Sequence, residues 1–141
     1  MSTRTAQAHW KGGLKSGQGT MQVESGAFET RYSAASRFES ESGSNPEELI
    51  GAAHAGCFSM ALALMLEQAH YTPERIDTRA RVQLDQQEDG YAITRIELDT
   101  QAQVPKLEAA EFEKLAQSAK TNCPVSKALK GVEITLQAAL K

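Results

Sequence analysis

Polar and apolar positions alternate most cleanly in the second half of the chain. Ile76, Thr78, Ala80, Val82 and Leu84 are interleaved there with Asp77, Arg79, Arg81, Gln83 and Asp85. A two-residue period describes a half-buried strand. The turn "QQEDG" follows, then a second extended run over 92–104 with Ile96, Leu98, Ala102 and Val104 on one face, ended by Pro105. Residues 107–120 change period and predict an amphipathic helix with Phe112, Leu115, Ala116 and Ala119 inward. Val132, Ile134, Leu136, Ala138 and Leu140 then alternate with Glu133, Thr135 and Gln137 as a closing strand. The first third is less regular. Extended segments are expected at 6–10, 20–24 and 32–38, separated by the glycine-containing stretches "KGGLKSGQG" and "ESGA".

Between these halves lies "SNPEELIGAAHAGCFSMALALML". Ser44 or Asn45 can cap a helix, Pro46 suits its first position, and Glu47 and Glu48 complement its positive end. The helix is expected from residue 46 to about 70, where "HYTP" stops it. Its stretch over 49–66 is apolar on all sides and reaches the lower limit for a membrane span. Half of that stretch is Ala, Gly, His or Ser, which weakens transfer into lipid and favours a buried core helix. The element order is βββ-α-ββ-α-β, an α+β class with antiparallel sheets, in a single domain over 1–141. A sheet with one apolar face covers only one side of a helix that is apolar all round. A second copy of the chain would cover the other, so an obligate homodimer is expected, two such helices packed together with a sheet outside each.

Composition narrows the function. The chain has 141 residues, a net charge of −3 and no Lys/Arg cluster, which argues against nucleic acid or an anionic membrane as partner. The segment "MSTRTAQAHWKGG" has no apolar secretory core, and two cysteines are too few for a disulfide scaffold. A cytoplasmic location is expected. No GxSxG, P-loop or GxGxxG pattern supports a hydrolase or nucleotide reading, and no cofactor is expected.

The two thiols carry the candidate chemistry. Cys57 lies well inside the central helix, three residues after His54 and on the same face. Apolar burial would raise its pKa and leave it inert unless a cation reaches it. Cys123, in "TNCPVSKALK", precedes a proline able to open a short new helix, whose N-terminus favours a thiolate. An attacking thiol and a resolving thiol would divide in this way. Two inert core cysteines, or a metal site of His54, Cys57 and Cys123 without an evident fourth ligand, are also compatible with the spacing. Taken alone, Glu47 and Glu48 are ordinary first-turn acids, Arg37 an exposed strand residue and His54 a hydrogen-bonded interior histidine.

Together, "NPEELIGAAHAGCFSMALALML" and "KTNCPVSKAL", with the upstream "AHWKGG", "SGQGT" and "RFES", resemble the OsmC/Ohr family of cysteine-dependent hydroperoxide reductases over nearly the whole chain. The resemblance implies that Cys57 is the attacking thiol and Cys123 the resolving thiol. The glutamate of the Asn-Pro-Glu motif falls on Glu47 rather than Glu48. The OsmC-branch arginine, expected in a strand-end Arg-Phe step, falls on Arg37. The Ohr branch takes its arginine from an earlier loop, where this chain has "LKSGQG" with Lys15, so the resemblance is to the OsmC branch. It implies reduction of organic hydroperoxides, and more weakly of hydrogen peroxide, through a Cys57 sulfenic acid and a Cys57–Cys123 disulfide. The setting would be oxidative or osmotic stress. It further implies an intertwined homodimer recycled by an external dithiol such as a lipoylated protein, with neither nucleic acid nor membrane as partner. A non-catalytic redox sensor or apolar-ligand module of the same fold is the alternative.

Overall fold

Gly19 sets the geometry of the first sheet. In the computed structural model, which describes residues 1–141, β1 (Ala6–Lys11), β2 (Gln18–Val23) and β3 (Glu29–Tyr32) form an antiparallel meander in the order β1-β2-β3. Gly19 pairs with Trp10 on one side and Tyr32 on the other. A Cβ at this position would lie 2.8 Å from the Trp10 ring and 2.7 Å from the Tyr32 ring. With glycine there, the two rings meet with centroids 5.3 Å apart and planes tilted by 55°, a favourable aromatic arrangement.

The strand expected over 32–38 is not formed. β3 ends at Tyr32, and Ala34–Phe38 is a short helix, α1. The cause is local. Ser33 Oγ accepts from the Ser36 N–H at 3.1 Å while Ser36 Oγ accepts from the Ser33 N–H at 2.8 Å, a reciprocal cap that commits the backbone to a turn. Ser36 Oγ also donates to the Ser44 carbonyl at 2.7 Å. Arg37 therefore sits on a helix, not at a strand end. The next helix, α2 (Pro46–Gln68), is capped by Asn45, whose Oδ1 accepts from the Glu48 N–H at 2.8 Å. Ser44 instead donates to the Glu48 carboxylate at 2.7 Å.

The chain forms two compact units, Met1–Leu49 and Ile50–Lys141. In the second, β4 (Arg75–Gln87) and β5 (Gly90–Gln103) make a long antiparallel hairpin whose turn is closed by Gly90 at φ 123°, a left-handed conformation that suits glycine. Two helices follow, α3 (Ala109–Asn122) and α4 (Pro124–Ala128), then β6 (Glu133–Leu140). The order is β4-β5-β6, and β6 runs parallel to β5, with Ile96 beside Ile134 and Leu98 beside Leu136. The α+β class thus holds, while this one pairing differs from the antiparallel expectation. A parallel return needs a long crossover, which α3 and α4 provide.

The core of this unit joins α2, the sheet and α3. Phe58, Leu62 and Leu66 of α2 pack with Ile96, Leu98 and Ala102 of β5 and with Phe112, Ala116 and Ala119 of α3, all buried. Gly51 brings α2 close to β4, where a Cβ would already touch Val82 at 3.4 Å. The opposite stripe of α2, comprising Ala52, Ala53, Gly56, Met60 and Leu64, is exposed in the single chain. By length and composition α2 could cross a membrane, and only 28% of its apolar window is buried within one chain. Leu62 is fully buried, so Leu62→Ala should lower stability by about 2–5 kcal/mol, through lost burial and a residual cavity. Urea unfolding followed by circular dichroism checks this, and an unchanged midpoint would contradict the packing described.

Candidate active site

The two cysteines, 66 residues apart in the chain, have their sulfurs 3.0 Å apart. Both are free thiols. Cys57 is half-buried on α2, and Cys123 is fully buried between α3 and α4, at the N-cap of α4 with Pro124 as its first helical residue. A covalent S–S bond is about 2.05 Å, so closure requires an approach of only about 1 Å. Cys123 donates to Cys57 in the neutral pair. Burial pushes the Cys57 thiol above its ordinary pKa, and the Cys123 contact adds to this against the opposing Val125 N–H. Burial acts on Cys123 in the same sense but is outweighed by Cys57, by the Ser126 N–H and hydroxyl, and by the Val125 N–H, so Cys123 lies below its ordinary value.

One turn below this contact on α2, His54 is completely buried, and its Nε2 lies 2.8 Å from Ser126 Oγ. Burial lowers its pKa and favours the neutral ring. Its Nδ1 has no hydrogen-bond partner in the chain. This arrangement does not support the metal reading. His54 turns its Nε2 to a hydroxyl, and no group of three His, Cys, Asp or Glu side chains is placed to hold an ion.

Arg37 and Glu47 form the second pair. Arg37 Nε lies 3.1 and 3.2 Å from the two Glu47 carboxylate oxygens, and its Nη2 donates to Oε1 at 2.6 Å. The Glu47 side chain is 10% exposed and that of Arg37 36%. Such a fork fixes the guanidinium plane. The Phe38 ring lies under it, 5.5 Å from the guanidinium carbon. Arg37 also lines a 220 Å³ pocket with Trp10, Leu14, Tyr32, Ala34 and Pro46, a cation beside largely apolar walls. Glu48, the neighbouring acid, is occupied by the α2 cap and Ser44.

The four expected residues thus form two pairs, Cys57–Cys123 in one unit and Arg37–Glu47 in the other. Ser126 was not anticipated from the sequence. Its signal is the Cys-Pro-x-Ser spacing, which puts a hydroxyl three residues after an N-cap thiol, as in a capping box.

The OsmC-like protein family matches residues 39–137, a span holding Glu47, Cys57 and Cys123. Peroxiredoxin OsmC of Escherichia coli (strain K12) is 52% identical over 139 residues, covering 98% of this chain and 96% of that protein. Organic hydroperoxide resistance protein OhrA of Bacillus subtilis (strain 168) is 33% identical over 102 residues, 70% of each chain. Among solved structures, an OsmC organic hydroperoxide resistance protein from Legionella pneumophila has the same fold, with a TM-score of 0.74 at 23% identity over 100% of this chain and 98% of that one. The family match spans most of the chain and the Escherichia coli relative nearly all of it. The chain belongs to the OsmC-like protein family.

Proposed function

We propose that this chain is a cysteine-dependent peroxidase that reduces organic hydroperoxides to alcohols, and hydrogen peroxide more weakly, in defence against oxidative or osmotic stress. The observation that carries this reading is the contact of two free, sequence-distant thiols at 3.0 Å. The Cys57 thiolate attacks one oxygen of ROOH, the O–O bond breaks, and RO⁻ leaves and takes up a proton. Cys57 becomes a sulfenic acid, Cys123 condenses with it, and water departs. An external dithiol, a lipoylated protein in our reading, restores both thiols by exchange. Such recycling needs a reducing compartment, which supports a cytoplasmic site of action.

Arg37, oriented by Glu47, is assigned the cationic role. A guanidinium about 4 Å from a thiolate contributes about 4 kcal/mol at an effective dielectric near 20, about three pKa units before desolvation is subtracted. The same charge would stabilise the departing RO⁻. The apolar walls around Arg37 suit an organic substituent better than hydrogen peroxide. The functional unit is assigned as a single domain in a homodimer. The exposed Met60 and Leu64 stripe of α2, with Met60 77% and Leu64 50% exposed, supports burial against a second copy.

Cys57→Ser should reduce turnover of an organic hydroperoxide to background in a dithiol-coupled assay, and retained turnover would remove it as nucleophile. Cys123→Ser should consume one equivalent and then stall, while undiminished cycling would require another resolving path. If even the native chain stops after one equivalent with dithiol present, it is a sensor rather than an enzyme. Arg37→Met should move the Cys57 thiolate titration to higher pH, followed by ultraviolet absorbance. An unmoved curve would transfer the role to Arg31 or Lys15. Sedimentation should give a two-chain mass that Met60→Asp shifts toward one chain, and a native one-chain species would rule out the homodimer.

A further inference from the structure

The two cysteines are one of two matched contacts between the same pair of segments. His54 and Cys57 are three residues apart on α2, and Cys123 and Ser126 are three residues apart at the start of α4. His54 meets Ser126 at 2.8 Å, and Cys57 meets Cys123 at 3.0 Å. The segments therefore run antiparallel with two rungs about 4.5 Å apart along α2, one of sulfur and one of nitrogen and oxygen. His54, Cys123 and Ser126 are at most 8% exposed. The Ser126 hydroxyl acts on the Cys123 sulfur and favours its charged form. A buried imidazole touching a buried hydroxyl across 72 residues of sequence costs desolvation, and the thiol chemistry drawn above leaves it unused.

We propose that His54, acting through Ser126, is a positioning residue for the Cys123 thiol and sets the rate of disulfide closure at neutral pH. This rests on the peroxidase reading above. As Cys123 Sγ forms its bond to Cys57 Sγ, its proton passes to the Ser126–His54 rung, with the neutral imidazole accepting at Nε2. The S–O bond of the Cys57 sulfenic acid breaks, and the departing hydroxide takes up the proton and leaves as water. Cys123 sulfur is oxidised and Cys57 sulfur reduced, the oxidising equivalent having come from the peroxide. The titratable groups facing Cys123 are Cys57 directly and His54 through Ser126, both from α2. Lys120 of α3 instead reaches the Ile134 carbonyl, and Lys127 of α4 is exposed. The rung makes closure fast where thiols are mostly protonated. Without it, closure waits for solvent to remove the proton.

The test is a single-turnover experiment with tert-butyl hydroperoxide from pH 6 to 9. Sulfenic acid is trapped by dimedone, and closure is followed by quenched mass spectrometry. Ser126→Ala should slow closure about tenfold relative to sulfenic acid formation at pH 7, with the deficit vanishing toward pH 9, a shift of about one unit in the closure profile. His54→Gln, which keeps a polar group in the space, should give the same shift, and Ser126→Thr should restore the native profile. A deficit equal at every pH would make the rung a structural clamp and overturn the proposal, as would unchanged closure in both Ser126→Ala and His54→Gln. Dimedone on Cys123 instead of Cys57 would overturn the peroxidase assignment beneath it. Attachment to Cys57 with a pH-independent deficit would overturn the rung alone.

Discussion

The peroxidase chemistry we propose depends on keeping a sulfur charge in a place that disfavours charge. Cys123 has no exposed surface, and Cys57 sits beside the apolar core formed by Phe58, Leu62 and the α3 residues. Desolvation acts against ionisation of both. A peroxide-reducing thiolate nonetheless benefits from burial, since exposure invites other thiols and over-oxidation. At Cys123, close dipoles outweigh that desolvation: a second thiol, two backbone N–H groups and a serine hydroxyl.

The topology is what allows these groups to meet. β6 lies parallel to β5, so the chain must cross from one end of the sheet to the other before pairing. That crossover contains α3 and α4, and Cys123 is the residue between them. Pro124 opens α4 at its first helical position, which leaves Cys123 as the N-cap. Cys57 is placed with equal economy: on α2 it lies beside the stripe that packs on the sheet, and Gly51 earlier on the same helix lets it approach β4 closely. A small residue at one end of the helix and a proline in the crossover bring residues from two distant segments within bonding reach.

Much of this was legible in the sequence, and the misses have physical causes. Alternation marked β4 and β6, the single-faced apolar run marked β5, and the cap "SNPEE" marked α2, because each signal repeats over many residues. Helix α1 was missed because five residues are too few to establish a period, and its deciding contact, Ser33 with Ser36, looks in the sequence like two more small polar residues. The direction of β6 could not be read, since a half-buried strand alternates identically whether parallel or antiparallel. Arg37 and Glu47 were legible as site residues only through the family resemblance. Their separation of ten residues carries no contact information until α1 and the Ser44–Asn45 turn fold the chain back. Ser126 lay in a motif already singled out for its thiol, and the hydroxyl three residues later went unweighed.

The division of charge between the two sulfurs has a further consequence. Within the chain, local contacts push Cys123 below its ordinary pKa and Cys57 above it, yet attack on peroxide is assigned to Cys57. These fit together if the charge must move. A guanidinium brought near Cys57 offers about 4 kcal/mol before desolvation is subtracted, which opposes a preference set by a few neutral dipoles worth about 1 kcal/mol each. In the mechanism proposed, the pair is then most reactive toward peroxide when the cation is in place. Once Cys57 is oxidised and its negative charge is gone, the Ser126 hydroxyl and the Val125 and Ser126 N–H groups still favour charge developing on Cys123 as the disulfide closes. In the mechanism proposed, one proton shared between two thiols would serve both the attacking and the resolving nucleophile, in that order.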